Sequence, residues 1–131
     1  VDMSENALNS AIKLMTDWGH GPQAHMYDNT LPGHSFLGYG RKVMKMNEKT
    51  ALLADLKACS AYENGKAAAA AISQPTICIL AGKDKMTPLK AGQAMAAAIK
   101  DAAVEIIADA GHFLPAEAPF EVNKSLTRFL Q

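Results

Sequence analysis

The sequence lacks an excess of charge of either sign: Lys and Arg together number 13, and so do Asp and Glu. That balance excludes the broad basic field with which proteins engage nucleic acid or an anionic membrane surface, so partners must be argued from local features. Cysteine is scarce. Cys59 falls in a stretch of helical pattern and Cys78 in an apolar run, with no metal-ligand spacing between them. Both are expected to be small buried hydrophobes in a reducing, cytoplasmic setting. No apolar run approaches the roughly 18 residues of a membrane-spanning helix. No charged-then-apolar leader opens the chain either. The first residue is Val1 rather than Met, so the original N-terminus, with any signal it carried, is expected to lie upstream.

What is present is a change of pattern partway along 131 residues, 49% of them apolar, enough for one modest core. From Ser4 to Thr16 the residues Ala7, Leu8, Ala11, Ile12, Leu14 and Met15 recur at helical spacing, with Asp2 and Glu5 as a capping pair and Gly19 as the stop. Gly19 to Ser35 carries Gly, Pro, Asn and Asp without a period, which predicts a long irregular loop. Phe36 to Met46 reads as a helix whose Arg41, Lys42 and Lys45 form a solvated basic side. Another helix begins at Asn47, with Leu52, Leu56 and Cys59 on one face and Gly65 as its close. The alanine run Lys66 to Ile72 favours a helical connecting turn. Up to Ser73 the reading is all-helical.

At Pro75 the character changes. Thr76 to Leu80 is a continuous apolar run ended by Ala81 and Gly82, as expected of a strand buried on both faces. Thr87 and Pro88 supply an N-cap and a first-turn proline for a helix through Ile99. Val104 to Ala108 repeats the strand signal. Pro119 to Leu130 then places Val122, Leu126, Phe129 and Leu130 on one helical face. Strand, helix, strand, helix is a βαβα unit, which implies parallel strands and a right-handed crossover. The fold class is therefore α/β, with a helical segment over residues 1–73 followed by a sheet-bearing segment over residues 74–131.

In open parallel sheets reactive groups gather beyond the carboxyl ends of the strands, where rigid strands position free loops. Asp84 follows the first strand in Gly82-Lys83-Asp84-Lys85-Met86-Thr87-Pro88, and His112 follows the second in Ala110-Gly111-His112-Phe113. On adjacent strands about 5 Å apart the two loops lie side by side. A carboxylate there accepts a bond from the imidazole, fixes its tautomer and stabilises the imidazolium formed during proton transfer.

The pattern Gly82-x-Asp84-x-x-x-Pro88, a helix, a strand, then Gly111-His112-x-x-x-x-Glu117-x-Pro119 and a helix ending Arg128-Phe129-Leu130 resembles the end of the α/β-hydrolases. The resemblance spans Pro75 to Gln131. It implies the C-terminal end of that family's parallel sheet, with Asp84 as triad acid, His112 as general base, and Glu117 with Pro119 at the start of the last helix. The helical first half is similar in character to the cap or lid that many members insert before their last two strands. Such a cap roofs the substrate pocket, for which Trp18, Met26, Phe36 and Tyr39 are the candidate lining residues.

The family's nucleophile sits on a strand-to-helix elbow of the form Gly-x-Ser-x-Gly, which this sequence does not contain. Its nearest text is Gly33-His34-Ser35-Phe36-Leu37, where Leu37 stands in place of the second glycine and Asp28 to Pro32 upstream is no strand. Ser35 is accordingly not expected to be the nucleophile. Several plainer readings stand beside these. Asp84 has the setting of a turn residue bonding its own backbone, and Glu117 that of a charge favoured at a helix start. His20, His25 and His34 read as surface loop residues, since none is spaced as a metal ligand; no metal and no cofactor is expected.

Two functions follow. In the first, the chain is part of a hydrolase whose missing N-terminal half supplies most of the sheet, the nucleophile (serine or aspartate) and the oxyanion hole for a small-molecule substrate. In the second, it is a truncated, non-catalytic binding module that self-associates through an exposed strand edge, because two parallel strands alone leave unpaired N–H and C=O groups.

Overall fold

In the computed structural model, which describes residues 8–27, 35–47 and 49–131, the change of pattern at Pro75 is a change of architecture. Five helices precede it among the described residues: α1 (Leu8–Gly19), α2 (Pro22–Tyr27), α3 (Phe36–Lys45), α4 (Lys49–Ala61) and α5 (Gly65–Ala70). After it come β1 (Ile77–Ala81), α6 (Leu89–Ala96), β2 (Ala103–Ile107), α7 (Leu114–Glu117) and α8 (Pro119–Phe129). None of the described helices is long and apolar enough to cross a membrane.

The spacing that predicts the first helix also sets its packing. Ala11, Ile12, Thr16 and Gly19 are the buried residues of α1, on the side that meets α3. The capping pair Asp2 and Glu5 lies outside the described residues. Between Gly19 and Ser35 the expected irregular loop is interrupted by α2. Pro22 occupies the first helical position, where its missing N–H costs nothing, and burial of Ala24 anchors the turn. Residues 28–34, including His34, are outside the description.

Ser35 is the N-cap of α3, its Oγ accepting from the Gly38 N–H at 2.7 Å. On the basic side of that helix Lys42 and Lys45 are exposed, while Arg41 Nε donates to the Leu37 carbonyl at 3.1 Å. Helix α4 packs loosely: Leu52 and Leu56 are half-buried, and Cys59 is exposed rather than buried as its pattern suggested. A helix that presses on little cannot hide its third-turn residues. Gly65 opens α5 instead of closing α4, and buried Ala69 lies on this helix, which packs against α6.

Strands β1 and β2 are parallel, in register from Ile77 opposite Ala103 to Ala81 opposite Ile107, with α6 as the crossover between them. Alternation puts Ile79, Ala81, Glu105 and Ile107 on one face and Cys78, Leu80, Val104 and Ile106 on the other. The first face joins the core formed by Ala81, Ala110, Leu114 and Ala118, together with Ile79, Ile107 and Val122. The second receives α6, which lies mainly over β1. Val104 and Ile106 are therefore 46% and 47% exposed, so β2 is not the doubly buried strand its apolar run predicts.

One helix boundary and one inward face differ from expectation for chemical reasons. Helix α6, which ends at Ala96, starts after Pro88 without a side-chain cap because the Thr87 hydroxyl is bonded to Asp84 instead. In α8 the inward positions are Val122, Ser125 and Phe129, whereas Leu126 and Leu130 are 40% and 80% exposed. The cause is Glu105, a charge on the helix-facing side of β2. Its carboxylate accepts from the buried Ser125 hydroxyl and from Arg128 Nη2 at 2.6 and 2.8 Å. The helix turns its polar edge inward to satisfy that group.

Glu105→Ala removes the acceptor and strands the buried Ser125 hydroxyl, so a loss of about 1–3 kcal/mol is expected. Arg128→Ala, at an exposed guanidinium, should cost about 1 kcal/mol or less. Urea denaturation midpoints of the two variants check that order.

Candidate active site

Because the strands are parallel, both end at the same edge of the sheet, and the loops that follow are stitched together by main-chain bonds. Gly82 N–H donates to the Ile107 carbonyl at 2.8 Å and Lys83 N–H to the Ala110 carbonyl at 2.9 Å. Asp84 and His112 are carried on these two loops. His112 Nδ1 lies 2.9 Å from Asp84 Oδ2.

Asp84 combines the two roles that its sequence setting offered. Oδ1 accepts from the N–H groups of Met86 and Thr87 at 2.8 and 2.9 Å, making the turn. Oδ2 accepts from the Thr87 hydroxyl at 2.6 Å and from His112. Burial by itself pushes the Asp84 carboxyl up, since its side chain is only 9% exposed. The bonds from the Thr87 hydroxyl, the Thr87 N–H, His112 and the Met86 N–H outweigh that and hold it below the ordinary carboxylate range.

A carboxylate can only accept, so Nδ1 of His112 carries the hydrogen, and the neutral ring keeps its lone pair on Nε2. The His112 side chain is 36% exposed against 9% for Asp84. The carboxylate is sheltered and the imidazole is reachable. Thr87 Oγ1 stands 3.3 Å from the same Nδ1, bracing the imidazole from a second side.

A cleft of about 310 Å³ opens beside the pair, walled by Ile79, Leu80 and Ala81 with Thr87, Leu89 and Leu114. Three consecutive strand residues point to alternate faces. A cleft that touches all three and no residue of β2 runs along the outer edge of β1, the edge without a neighbouring strand among the described residues.

Glu117 plays a part that a helix-start charge does not describe. Its Oε2 accepts from the N–H of Gly21 at 2.8 Å and of Gly111 at 3.1 Å, and Phe113 N–H donates to the Gly19 carbonyl at 3.1 Å. Gly19-His20-Gly21 thus crosses Gly111-His112-Phe113 backbone against backbone. A Cβ on Gly21 would stand 2.7 Å from the Gly111 nitrogen, and one on Gly111 would stand 2.7 Å from the His20 carbonyl carbon. The signal available in the sequence was a lone acid inside Phe113-Leu114-Pro115-Ala116-Glu117-Ala118-Pro119-Phe120, paired with glycines flanking two histidines far apart.

The other candidates are placed as follows. His20 is 4% exposed, not a surface residue. His25 is exposed and its Nε2 donates to the Asp17 carbonyl at 2.9 Å. Among the described residues no three His, Cys, Asp or Glu side chains are grouped as a metal site would require. Trp18, Met26, Phe36 and Tyr39, expected over Asp84 and His112, are 52%, 69%, 50% and 72% exposed, and none lines the cleft beside that pair. Ser35 has ordinary extended backbone, φ −154°, and serves as a cap.

Neither the family models nor the curated proteins compared with the chain show a match. Solved structures do. A bromoperoxidase from Bacillus anthracis superposes with a TM-score of 0.84 at 21% identity, over 98% of this chain and 46% of that one. An N-acyl homoserine lactone degrading enzyme superposes with a TM-score of 0.77 at 21% identity, over 98% and 49%. Both have the α/β-hydrolase fold. The chain has that fold as well, and it spans about half the length of these two structures.

Two outcomes follow from the site. The lowered Asp84 carboxyl contributes stability that is fully present above the ordinary carboxylate value of about 4 and is lost as pH falls toward its folded value. Asp84→Asn should therefore narrow its deficit against the wild type as pH is lowered through that range, measured by urea denaturation at each pH. Glu117→Ala should cost about 1–3 kcal/mol and raise hydrogen exchange at the Gly21 and Gly111 amides, with Glu117→Gln, which keeps an acceptor, between it and wild type.

Proposed function

We propose that this chain is the C-terminal part of an α/β-hydrolase-like enzyme, with Asp84 as the acid and His112 as the general base of a nucleophile–His–acid triad. The observation that carries the reading is the 2.9 Å bond between Asp84 Oδ2 and His112 Nδ1 at the ends of adjacent parallel strands. On this reading residues 1–73 are the helical cap and residues 74–131 the end of the core. The remaining half of the protein supplies further strands along the outer edge of β1, the nucleophile and the oxyanion hole.

The division of labour follows from the geometry. His112 Nε2 takes the proton of the nucleophile as its oxygen attacks the substrate carbonyl, and Asp84 stabilises the imidazolium at Nδ1. The same imidazolium gives its proton to the leaving group. His112 then takes a proton from a water whose oxygen bonds to the acyl carbon, and the imidazolium returns that proton to the nucleophile oxygen as its bond to the acyl group breaks. Ester or lactone hydrolysis is the reaction class favoured, in keeping with the lactone-degrading neighbour.

The free edge of β1 also supports a second reading, a non-catalytic module that pairs this edge with another copy of itself. Sedimentation velocity separates it: a folded monomer across micromolar concentrations removes the second reading.

For the first, the upstream reading frame should encode a strand followed by Gly-x-Ser-x-Gly or its aspartate counterpart. The whole protein should hydrolyse p-nitrophenyl acetate or an N-acyl homoserine lactone. His112→Ala and Asp84→Asn should each lower kcat by roughly 10⁴-fold, while Ser35→Ala leaves it unchanged. Turnover by the 131-residue chain alone that disappears on Ser35→Ala would replace this assignment.

A further inference from the structure

Three atoms close a triangle beside the cleft. Thr87 Oγ1 lies 2.6 Å from Asp84 Oδ2, His112 Nδ1 lies 2.9 Å from the same Oδ2, and Oγ1 and Nδ1 are 3.3 Å apart. Asp84, held in its ionised form by the bonds it receives, can only accept, so the Thr87 hydroxyl donates its one hydrogen to Oδ2. Toward Nδ1 the hydroxyl oxygen is then left as an acceptor. The Nδ1 hydrogen faces Oδ2 and Oγ1 together, and among the described residues Nδ1 meets no other partner.

This placement of the hydroxyl goes against local helix chemistry. Thr87 stands before Pro88, where a threonine ordinarily caps the helix that follows. Helix α6 nevertheless starts with no side-chain cap, and Pro88 contributes only its carbonyl, to the N–H of Ala91 at 2.7 Å. The turn after β1 does not need the hydroxyl either. Asp84 Oδ1 already accepts from the main-chain N–H groups of Met86 and Thr87, which any residue but proline would supply. A side chain drawn away from its local role toward a pair of reactive groups marks a place where function overrides local preference.

We propose that Thr87 is a positioning residue that fixes the tautomer of His112: its hydroxyl holds Oδ2 and its oxygen shares the Nδ1 hydrogen, so that the lone pair stays on Nε2. The inference rests on the hydrolytic reading of the pair, in which the nucleophile requires a base with its lone pair on Nε2. With the ring hydrogen moved to Nε2, the triangle would hold three acceptor atoms and a single hydrogen, and the Nδ1 lone pair would face the carboxylate. The discrimination matters here because the His112 side chain is 36% exposed and Thr87 lies with it along the cleft, where water competes for the same atoms. A water in place of the hydroxyl has two hydrogens, one for Oδ2 and one for Nδ1, and so tolerates either tautomer. The hydroxyl has one, and does not.

Histidine-selective ¹⁵N labelling reads the tautomer, since protonated and bare ring nitrogens resonate far apart. At about pH 9, above the ordinary histidine range, His112 in the wild type should show a protonated Nδ1 and a bare Nε2. Thr87→Val keeps the shape and the main-chain N–H on Asp84 Oδ1 but removes the hydroxyl, and should draw the two resonances together; Thr87→Ser should restore the wild-type pair. Amide hydrogen exchange at Met86 and at position 87 should be the same in all three, the turn being intact. In the whole protein Thr87→Val should lower kcat for p-nitrophenyl acetate by about 10- to 100-fold with KM unchanged, and Thr87→Ser should recover it. A wild-type His112 protonated on Nε2, resonances unmoved by Thr87→Val, no recovery in Thr87→Ser, loss of turn protection in Thr87→Val, or a rise in KM at constant kcat would each overturn the proposal. A wild-type whole protein without turnover would instead remove the hydrolytic reading, and the ¹⁵N outcomes still decide the role of Thr87.

Discussion

One carboxylate oxygen, Oε2 of Glu117, accepts from the main-chain N–H groups of two loops that lie 96 and 6 residues away from it in sequence. The geometry around His112 depends on this grip. Gly111 is held against Gly21, Phe113 N–H is tied to Gly19, and the imidazole between them is presented to Asp84 from a backbone that has little room to shift. Loops above a sheet are ordinarily its most mobile parts. Here a part-buried acid, a short helix and two glycines convert such a loop into a fixed mount.

Asp84 shows a related economy. Its two oxygens divide the work: one closes the turn that follows β1, and the other orients the histidine with help from Thr87. The ionised form is favoured by every bond it accepts, against the opposing effect of burial. A protonated Asp84 would surrender acceptors to both its turn and its histidine, so loop conformation and imidazole orientation are coupled through one protonation state.

What the sequence discloses is what local chemistry decides. Asp84 and His112 were legible because each follows an apolar run directly and sits among turn residues, and parallel pairing then brings them together. The clamp at Glu117 was not, because its partners are N–H groups, which every residue but proline carries and which leave no mark on composition. The inward face of α8 was misread at Leu126 for a similar reason: Ser125 answers Glu105 on another element, and no periodicity within the helix reveals that. Helix α2 was hidden by Pro22, which looks like a breaker until it is seen to stand at the first helical position. Apolar content alone overstated the burial of β2, since coverage depends on where α6 comes to rest.

The crossing of Gly19-His20-Gly21 with Gly111-His112-Phe113 is made largely of main chain. An interface of that kind is indifferent to most side chains on the helical side. It asks only for a backbone path, a free N–H and the absence of a Cβ at the closest approach. The helical layer is thereby open to rewriting: its exposed faces and its loops can diverge while the loop bearing His112 keeps the same attachment. Side-chain variation across the helical layer and constancy in how the histidine is held are thereby left to different atoms.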